Sequence, residues 1–257
     1  MRQTHTEHSV CVFHGGGEGT KRKLELTPRL QSLADWVKPG AKIADIGTDH
    51  GYLPVWLILH GRVSSAVASD LRLGPLSRAC ETAAENNAVG RLEFKLRDGL
   101  CEYDPKDADT IIIAGMGGEN IAAILEAAPW TADGAHTLLL QPMSRAEVLR
   151  RFLEEHGYAI LREQVAADRE TLYVILEVGK GSMKLSPGQQ YGGAALLHDP
   201  LGDRYLIEKV IRLQNAVAGL NRSGLLEDAE KADHLRDIIT SLLEMREEWH
   251  HANCRSN

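Results

Sequence analysis

Apolar positions along the chain change their spacing twice, and the changes divide it into parts. From Leu24 to Val37, the residues Leu30, Leu33, Ala34 and Val37 recur at helical spacing. Thr27-Pro28 supplies an N-cap and a first-turn proline for that helix, and Pro39-Gly40 ends it. Short apolar runs then alternate with helical segments. The predicted strands are Lys42–Ile46, Ser65–Ser69, Leu92–Leu96, Thr110–Ala114 and Thr137–Gln141; the predicted helices are Val55–His60, Pro75–Asn86, Glu119–Ala127 and Arg145–His156. Two further runs, Ala159–Gln164 and Leu172–Val178, have no helix between them and read as an antiparallel pair at one sheet edge. Such alternation predicts an α/β fold, a mainly parallel sheet with helices on both faces.

After Gly179-Lys180-Gly181 the pattern changes. Ser186 to Gly193 is rich in Pro, Gly and Gln and reads as a linker or irregular loop. Leu206, Val210, Leu213, Val217 and Leu220 then alternate by four and three, the seam of a coiled coil. Asn221-Arg222-Ser223-Gly224 interrupts it, and a second seam runs through Ala232, Leu235, Ile239, Leu242 and Met245. Two such helices joined by a short turn fold back as an antiparallel α-helical hairpin. The chain thus divides into a polar, flexible extension (1–23), an α/β domain (24–181), a linker (182–202) and a coiled-coil hairpin (203–257).

Composition narrows the classes. The chain has 257 residues, 43% apolar and 25% charged, as in an ordinary globular protein. No apolar run approaches the roughly 20 residues that span a bilayer. The first residues lack a signal peptide's apolar core, so the expectation is a cytoplasmic protein without a membrane partner. Cys11, Cys80, Cys101 and Cys254 are far apart and form no Cys-x-x-Cys pair, which argues against both zinc and a disulfide framework. His5, His8 and His14 show no metal-ligand spacing, and no metal is expected. A net charge of -7 argues against a nonspecific nucleic-acid coat but allows a local basic face.

The candidate chemistry gathers at strand ends. Ala44-Asp45-Ile46-Gly47-Thr48-Asp49-His50-Gly51-Tyr52-Leu53-Pro54 leads from the first strand into a helix through two glycines. Glycines there allow tight dihedrals and let a ligand lie against bare main chain. A dinucleotide turn would read Gly-x-Gly-x-x-Gly. Here Asp45 and Asp49 would repel a diphosphate, so NAD is disfavoured. S-adenosylmethionine (SAM), which carries sulfonium and ammonium groups and no phosphate, suits the two acids. The antiparallel edge pair also fits SAM methyltransferases better than plain dinucleotide folds. Asp70 ends the second strand 23 residues after Gly47, close to where an acid holds ribose hydroxyls. Asp98-Gly99, after the third strand, could meet an adenine, although Asp-Gly turns are common. Gly115-Met116-Gly117-Gly118 ends the fourth strand and leaves bare backbone where a flat base could approach, or serves close helix packing. Gln141-Pro142 ends the fifth, with its amide towards the same crevice, which makes Gln141 a catalytic candidate with Asp49 and Tyr52. In the first turn Asp49 is the favoured catalytic carboxylate, against the base, the SAM ammonium or both. Tyr52 stacks on the base or packs, and His50 packs or caps.

The stretch Ala44 to Pro54, with Ile113-Ala114-Gly115-Met116-Gly117-Gly118 and Leu140-Gln141-Pro142, resembles the bacterial tRNA (adenine(22)-N1)-methyltransferase family, known as TrmK. The resemblance spans about Leu24 to Gly179 and, more loosely, the helical tail. It implies a Rossmann-like class I methyltransferase domain with a C-terminal coiled coil, SAM as cofactor, and methylation of N1 of adenine 22 in the D-arm of tRNA. It further implies Asp49 as the catalytic carboxylate, with Gly47, Gly51, Asp70, Asp98, Gly99, Gly115, Met116 and Gly117 as SAM contacts. Arg29 matches the family's basic residue in the first helix, although Pro28 stands where a lysine is common. For tRNA, Arg145, Arg150, Lys180, Lys209 and Arg212 are the expected basic contacts, with the first hairpin helix facing RNA. The competing readings are a methyltransferase acting on another RNA or a small molecule, and a noncatalytic SAM- and RNA-binding protein.

Overall fold

A computed structural model describes residues 24–222 and 225–253. The flexible extension expected at residues 1–23, and the parts of the expected hairpin at residues 223–224 and 254–257, lie outside the described residues.

Seven strands form one sheet in the order β3-β2-β1-β4-β5-β7-β6. They are β1 (Ala41–Ile46), β2 (Val63–Asp70), β3 (Leu92–Leu96), β4 (Thr110–Gly117), β5 (Thr137–Ser144), β6 (Tyr158–Asp168) and β7 (Thr171–Lys180). The first five pair in parallel, whereas β7 runs antiparallel to both β5 and β6. This is the edge pair that the missing helix between the two runs predicted. The five helices α1 (Pro28–Trp36), α2 (Tyr52–Leu59), α3 (Leu73–Glu85), α4 (Gly118–Glu126) and α5 (Ala146–Glu155) cover the sheet. β4 shows how the period of two builds both layers. Its Ile111 and Ile113 pack with α4 and α5, while Ile112 faces the layer of α1 and α2.

Two sequence expectations change here. β4 does not turn at Gly115 but continues to Gly117, with register shifts against β5 around Met116. Cys80, in α3, is disulfide-bonded, whereas Cys101 is free and exposed.

Past β7, the segment expected to be irregular contains the short helix α6 (Pro187–Gly192). Ser186 starts it with a capping box, its hydroxyl accepting from the Gln189 N–H and the Gln189 side chain returning to the Ser186 N–H. The hairpin follows as α7 (Gly202–Leu220) and α8 (Leu226–Asn253). Leu206, Val210, Leu213 and Val217 are buried on α7, and Ala232 and Leu242 on α8, as the seam predicted. Ile238 is also buried, outside the predicted seam. A straight helix of 3.6 residues per turn drifts from a seven-residue repeat, and α8 meets α6 as well as α7. At Gly188 and Gly192, Ser241 and Leu242 of α8 lie where a Cβ would stand. Trp249 Nε1 donates to the Asp199 carbonyl at 2.9 Å, and Asp203 pairs with Arg246 and His250 at 2.5 and 2.8 Å. The base of the hairpin is therefore fastened to residues 187–203, which do not act as a loose tether.

Candidate active site

The C-terminal ends of the five parallel strands open onto one crevice. Strand order reverses between β1 and β4, so the turn after β1 and the glycine run ending β4 flank the switch point, where open α/β sheets hold their ligands.

On the β1 side, Asp45 is buried, and burial pushes its carboxyl up to about 6 against the opposing pull of the Thr48 hydroxyl. That hydroxyl donates to Asp45 Oδ2 at 2.5 Å. The N–H groups of Gly47 and Thr48 both donate to the Ser69 carbonyl at 2.8 Å, which ties the turn to β2. Asp45 thus lies beneath the turn and shapes it. His50 and Gly51 both take positive φ, at 65° and 64°. A Cβ at Gly51 would stand 2.9 Å from Ala79 Cβ, so a side chain there would push α3 away. Asp49 projects outward, its Oδ1 accepting from Arg78 Nη2 at 2.7 Å and lying 3.6 Å from His50 Nε2. The His50 ring stacks on Tyr52, with centroids 5.2 Å apart and planes 8° from parallel.

At the end of β2, Asp70 is buried and its Oδ1 accepts from the Arg72 N–H at 2.7 Å. Leu71, beside it, is 63% exposed and gives the crevice an apolar wall that the sequence reading missed. Asp98 is exposed after β3, and Gly99 backs onto Ile124, where a Cβ would come within 3.1 Å.

Across the switch point the glycine run separates into two roles. Gly115, at φ +80°, is exposed, with nothing within 4 Å of a Cβ. At Gly118 a Cβ would run into the Arg145 carbonyl, so this glycine serves the close approach of α4 to the start of α5. Met116 lays its methyl group against Gly47, bridging the two sides. Gln141 is fully buried. Its Oε1 accepts from Arg29 Nη1 at 2.5 Å and from the Gly115 N–H at 3.2 Å. Its Nε2 donates to the Pro142 carbonyl at 3.0 Å and approaches Met143 Sδ at 3.6 Å. With both ends of its amide engaged, Gln141, expected to be catalytic, ties Arg29 and the β4 backbone together. Arg29 also lies 5.7 Å from the Tyr173 ring centroid. Burial lowers its pKa, an effect that nearby Asp168 opposes.

The basic residues separate too. Lys209 and Arg212 line a cleft between α7 and the crevice rim, together with Met143, Arg145, Thr171 and Tyr173. Lys209 Nζ sits 4.7 Å from the Tyr205 ring centroid. Arg145 is exposed at φ 55° and pairs with Glu119 and Glu147 at 3.3 and 3.1 Å. Arg150, expected on the RNA face, is instead 0% exposed against Glu163, also 0%. The amphipathic pattern of α5 turns it inward, and Nη1 donates to the Gln190 carbonyl at 2.9 Å. Lys180 is likewise displaced from the expected face. Because β7 runs antiparallel, its end lies beside the N-terminal ends of the parallel strands, away from the crevice, where Lys180 Nζ meets the Asp133 carbonyl. Arg78 and Tyr173 were missed, since nothing local marks a helix arginine or a strand tyrosine as a crevice residue.

Comparison with known proteins agrees with this geometry. A methyltransferase-domain family model matches residues 26–176. The tRNA (adenine(22)-N(1))-methyltransferase of Bacillus subtilis is 35% identical over 159 residues, 62% of this chain and 67% of its own. The crystal structure of the B. subtilis m1A22 tRNA methyltransferase TrmK superposes with a TM-score of 0.78 at 29% identity, over 87% of this chain and 100% of that one. A Streptococcus pneumoniae protein, described as a candidate tRNA (m1A22) methyltransferase and solved in complex with S-adenosyl-L-methionine, is 30% identical with a TM-score of 0.76. It covers 86% of this chain and 100% of its own. With the B. subtilis enzyme 35% identical over 67% of its own length and the β1 turn, glycine run and helical hairpin in place, the chain belongs to the tRNA (adenine(22)-N1)-methyltransferase family.

Proposed function

We propose that this protein transfers the methyl group of SAM to N1 of adenine 22 in the D-arm of tRNA, in the cytoplasm where tRNA resides. The observation that carries the reading is the turn from Asp45 to Pro54. It places an exposed carboxylate, Asp49, at the switch point between a glycine turn and the bare backbone of Gly115. The crevice suits SAM chemically, because its acids would repel a diphosphate while attracting a sulfonium and an ammonium group.

The cofactor supplies a methyl carbon made electrophilic by its bond to a cationic sulfur. Asp70 would hold the ribose hydroxyls, Leu71 would cover one face of the adenine, and Asp98 with the Gly99 main chain would meet its edge. Gly47, Gly51 and the Gly115-Met116-Gly117 main chain would line the methionine part, with Arg29 towards its carboxylate; Asp45 supports the turn from below. On the target side, the N1 lone pair of adenine is free to attack without prior deprotonation. As the new carbon–nitrogen bond forms and the carbon–sulfur bond breaks, the base becomes cationic. Asp49 can accept an N–H of the exocyclic amine and offset that developing charge. Tyr52, stacked on His50, offers a flat surface for the base. Arg145, Lys209 and Arg212 border the crevice on the hairpin side, where the phosphates of a bound tRNA would be neutralised.

Mass spectrometry of tRNA incubated with the protein and SAM should locate 1-methyladenosine at position 22. Asp49→Ala should bind SAM as the wild type does in equilibrium dialysis, yet transfer methyl groups roughly 100- to 1,000-fold more slowly, the scale for losing one preorganised charge partner. Reversing Lys209 and Arg212 to Glu should weaken tRNA binding about tenfold or more and flatten its salt dependence. Methylation of free nucleosides in preference to tRNA would sink the reading.

A further inference from the structure

We infer that Arg78 is a positioning residue for the reaction, holding one oxygen of the Asp49 carboxylate so that the other faces the target base. The inference rests on the reading of Asp49 given above and adds a residue to it. Asp49 lies in a turn with positive φ at Gly47, His50 and Gly51, and its side chain is 55% exposed. An exposed Asp on such a turn has free rotamers unless something fixes it. Arg78 does so: its Nη2 donates to Oδ1 at 2.7 Å, and His50 Nε2 lies 3.6 Å from the same oxygen. Among the described residues, Oδ2 enters no hydrogen bond or ion pair. The carboxylate is thereby divided into a held oxygen and an open one, the arrangement needed to accept an amine N–H in a single orientation.

The anchor is itself rigid. Arg78 precedes Ala79, which is buried and packs directly against Gly51. One turn of α3 therefore sets both the backbone of the loop and the direction of its acid. The pair contributes little to holding the fold, because both side chains are about half exposed (43% and 55%) and exposed ion pairs are worth about 0–1 kcal/mol.

The test is a double-mutant cycle on the full chain with tRNA and SAM: wild type, Arg78→Ala, Asp49→Asn and both together, with Arg78→Lys as the conservative variant. Arg78→Ala should lower kcat roughly 10- to 100-fold, the scale for displacing a catalytic group by about 1 Å. The KM for tRNA and the affinity for SAM should stay within about twofold. Arg78→Lys should recover part of the rate, since an ammonium restores the charge but not the fork. In the Asp49→Asn background, Arg78→Ala should cost nothing further. An unchanged kcat in Arg78→Ala overturns the inference, and so does an equal further loss in the double variant. A rise in tRNA KM at preserved kcat would make Arg78 a phosphate contact and also overturn it. Full activity of Asp49→Asn would instead remove the carboxylate from the reaction, and the inference with it.

Discussion

Two arginine–carboxylate pairs in this molecule have the same chemistry and opposite surroundings. At the junction between sheet and hairpin, Arg150 and Glu163 are both 0% exposed, with Nε and Nη2 donating to Oε1 at 3.0 and 2.5 Å. Burial alone would pull the Arg150 pKa down, but Glu163 outweighs it and holds it above its ordinary value. The remaining groups are also satisfied. Glu163 Oε2 accepts the N–H groups of Ala194 and Ala195 at 2.7 and 3.1 Å, and Arg150 donates to the α6 backbone. At the crevice mouth, Arg78 and Asp49 meet at 2.7 Å, but half in water and with one carboxylate oxygen open. The saturated pair fastens α5 and β6 to the segment that carries the hairpin; the unsaturated one leaves a group for a ligand. Remaining hydrogen-bond capacity separates a structural charge from a working one.

Breaking the buried pair should give the largest effect. Glu163→Ala leaves Arg150 without its counter-charge and should destabilise the protein by about 3–5 kcal/mol in denaturant unfolding. Replacing both partners with apolar residues of similar volume should cost much less; a loss in the double variant equal to the sum of the two single losses would mean that the pair is not coupled.

Asp45 sharpens the contrast, being buried like Glu163 but, among the described residues, with only the Thr48 hydroxyl for a partner. Its carboxyl is raised from 3.8 to about 6 in the folded protein, so the fold binds this proton more tightly than the unfolded chain does. The contribution to stability is complete below the unfolded value and is lost as pH rises through about 6. A difference of this size corresponds to roughly 3 kcal/mol. In the ligand-free protein, Asp45→Asn should flatten the decline in stability between about pH 4 and pH 7. Unfolding curves of both proteins across that range provide the measurement, and an unchanged slope would exclude Asp45 as its source.

The smallest effect belongs to the exposed pair. Arg78→Ala should shift stability by less than about 1 kcal/mol, even as it slows methyl transfer. Thermal unfolding checks this, and a loss comparable to that of Glu163→Ala would make Arg78 a second structural clamp.

Much of the fold could be read in advance. The alternation of short apolar runs with helical segments gave the parallel sheet, and the missing helix between the last two runs gave the antiparallel edge. β3 matched its predicted limits, Leu92–Leu96. The α6 segment was not legible, since Pro187, Gly188 and Gly192 suggest a loop until α8 arrives to pack on the glycines. The site was legible where it is local: Asp45, Gly47, Asp49 and Gly51 lie in one turn, and Asp70, Asp98 and Gly115 end successive strands. It was not legible where residues meet across the fold. Arg29 reaches Gln141 over 112 positions and Arg78 reaches Asp49 over 29, and no spacing rule connects such pairs.

The sequence alone determined the order of strands and helices, the glycine turn after β1 and the acid within it, because period, glycine placement and the residues after a strand are local properties. The tertiary structure decided which charges are buried and which border the crevice. Arg150 and Lys180 carry the same formal charge as Lys209 and Arg212, yet one is sealed against Glu163 and the other lies beside the N-terminal ends of the parallel strands, away from the crevice. Asp45 and Asp49, two acids in one glycine turn, have different surroundings because the fold buries one and leaves the other open, and the free energy of a charge depends on the water and partners that the whole chain leaves around it.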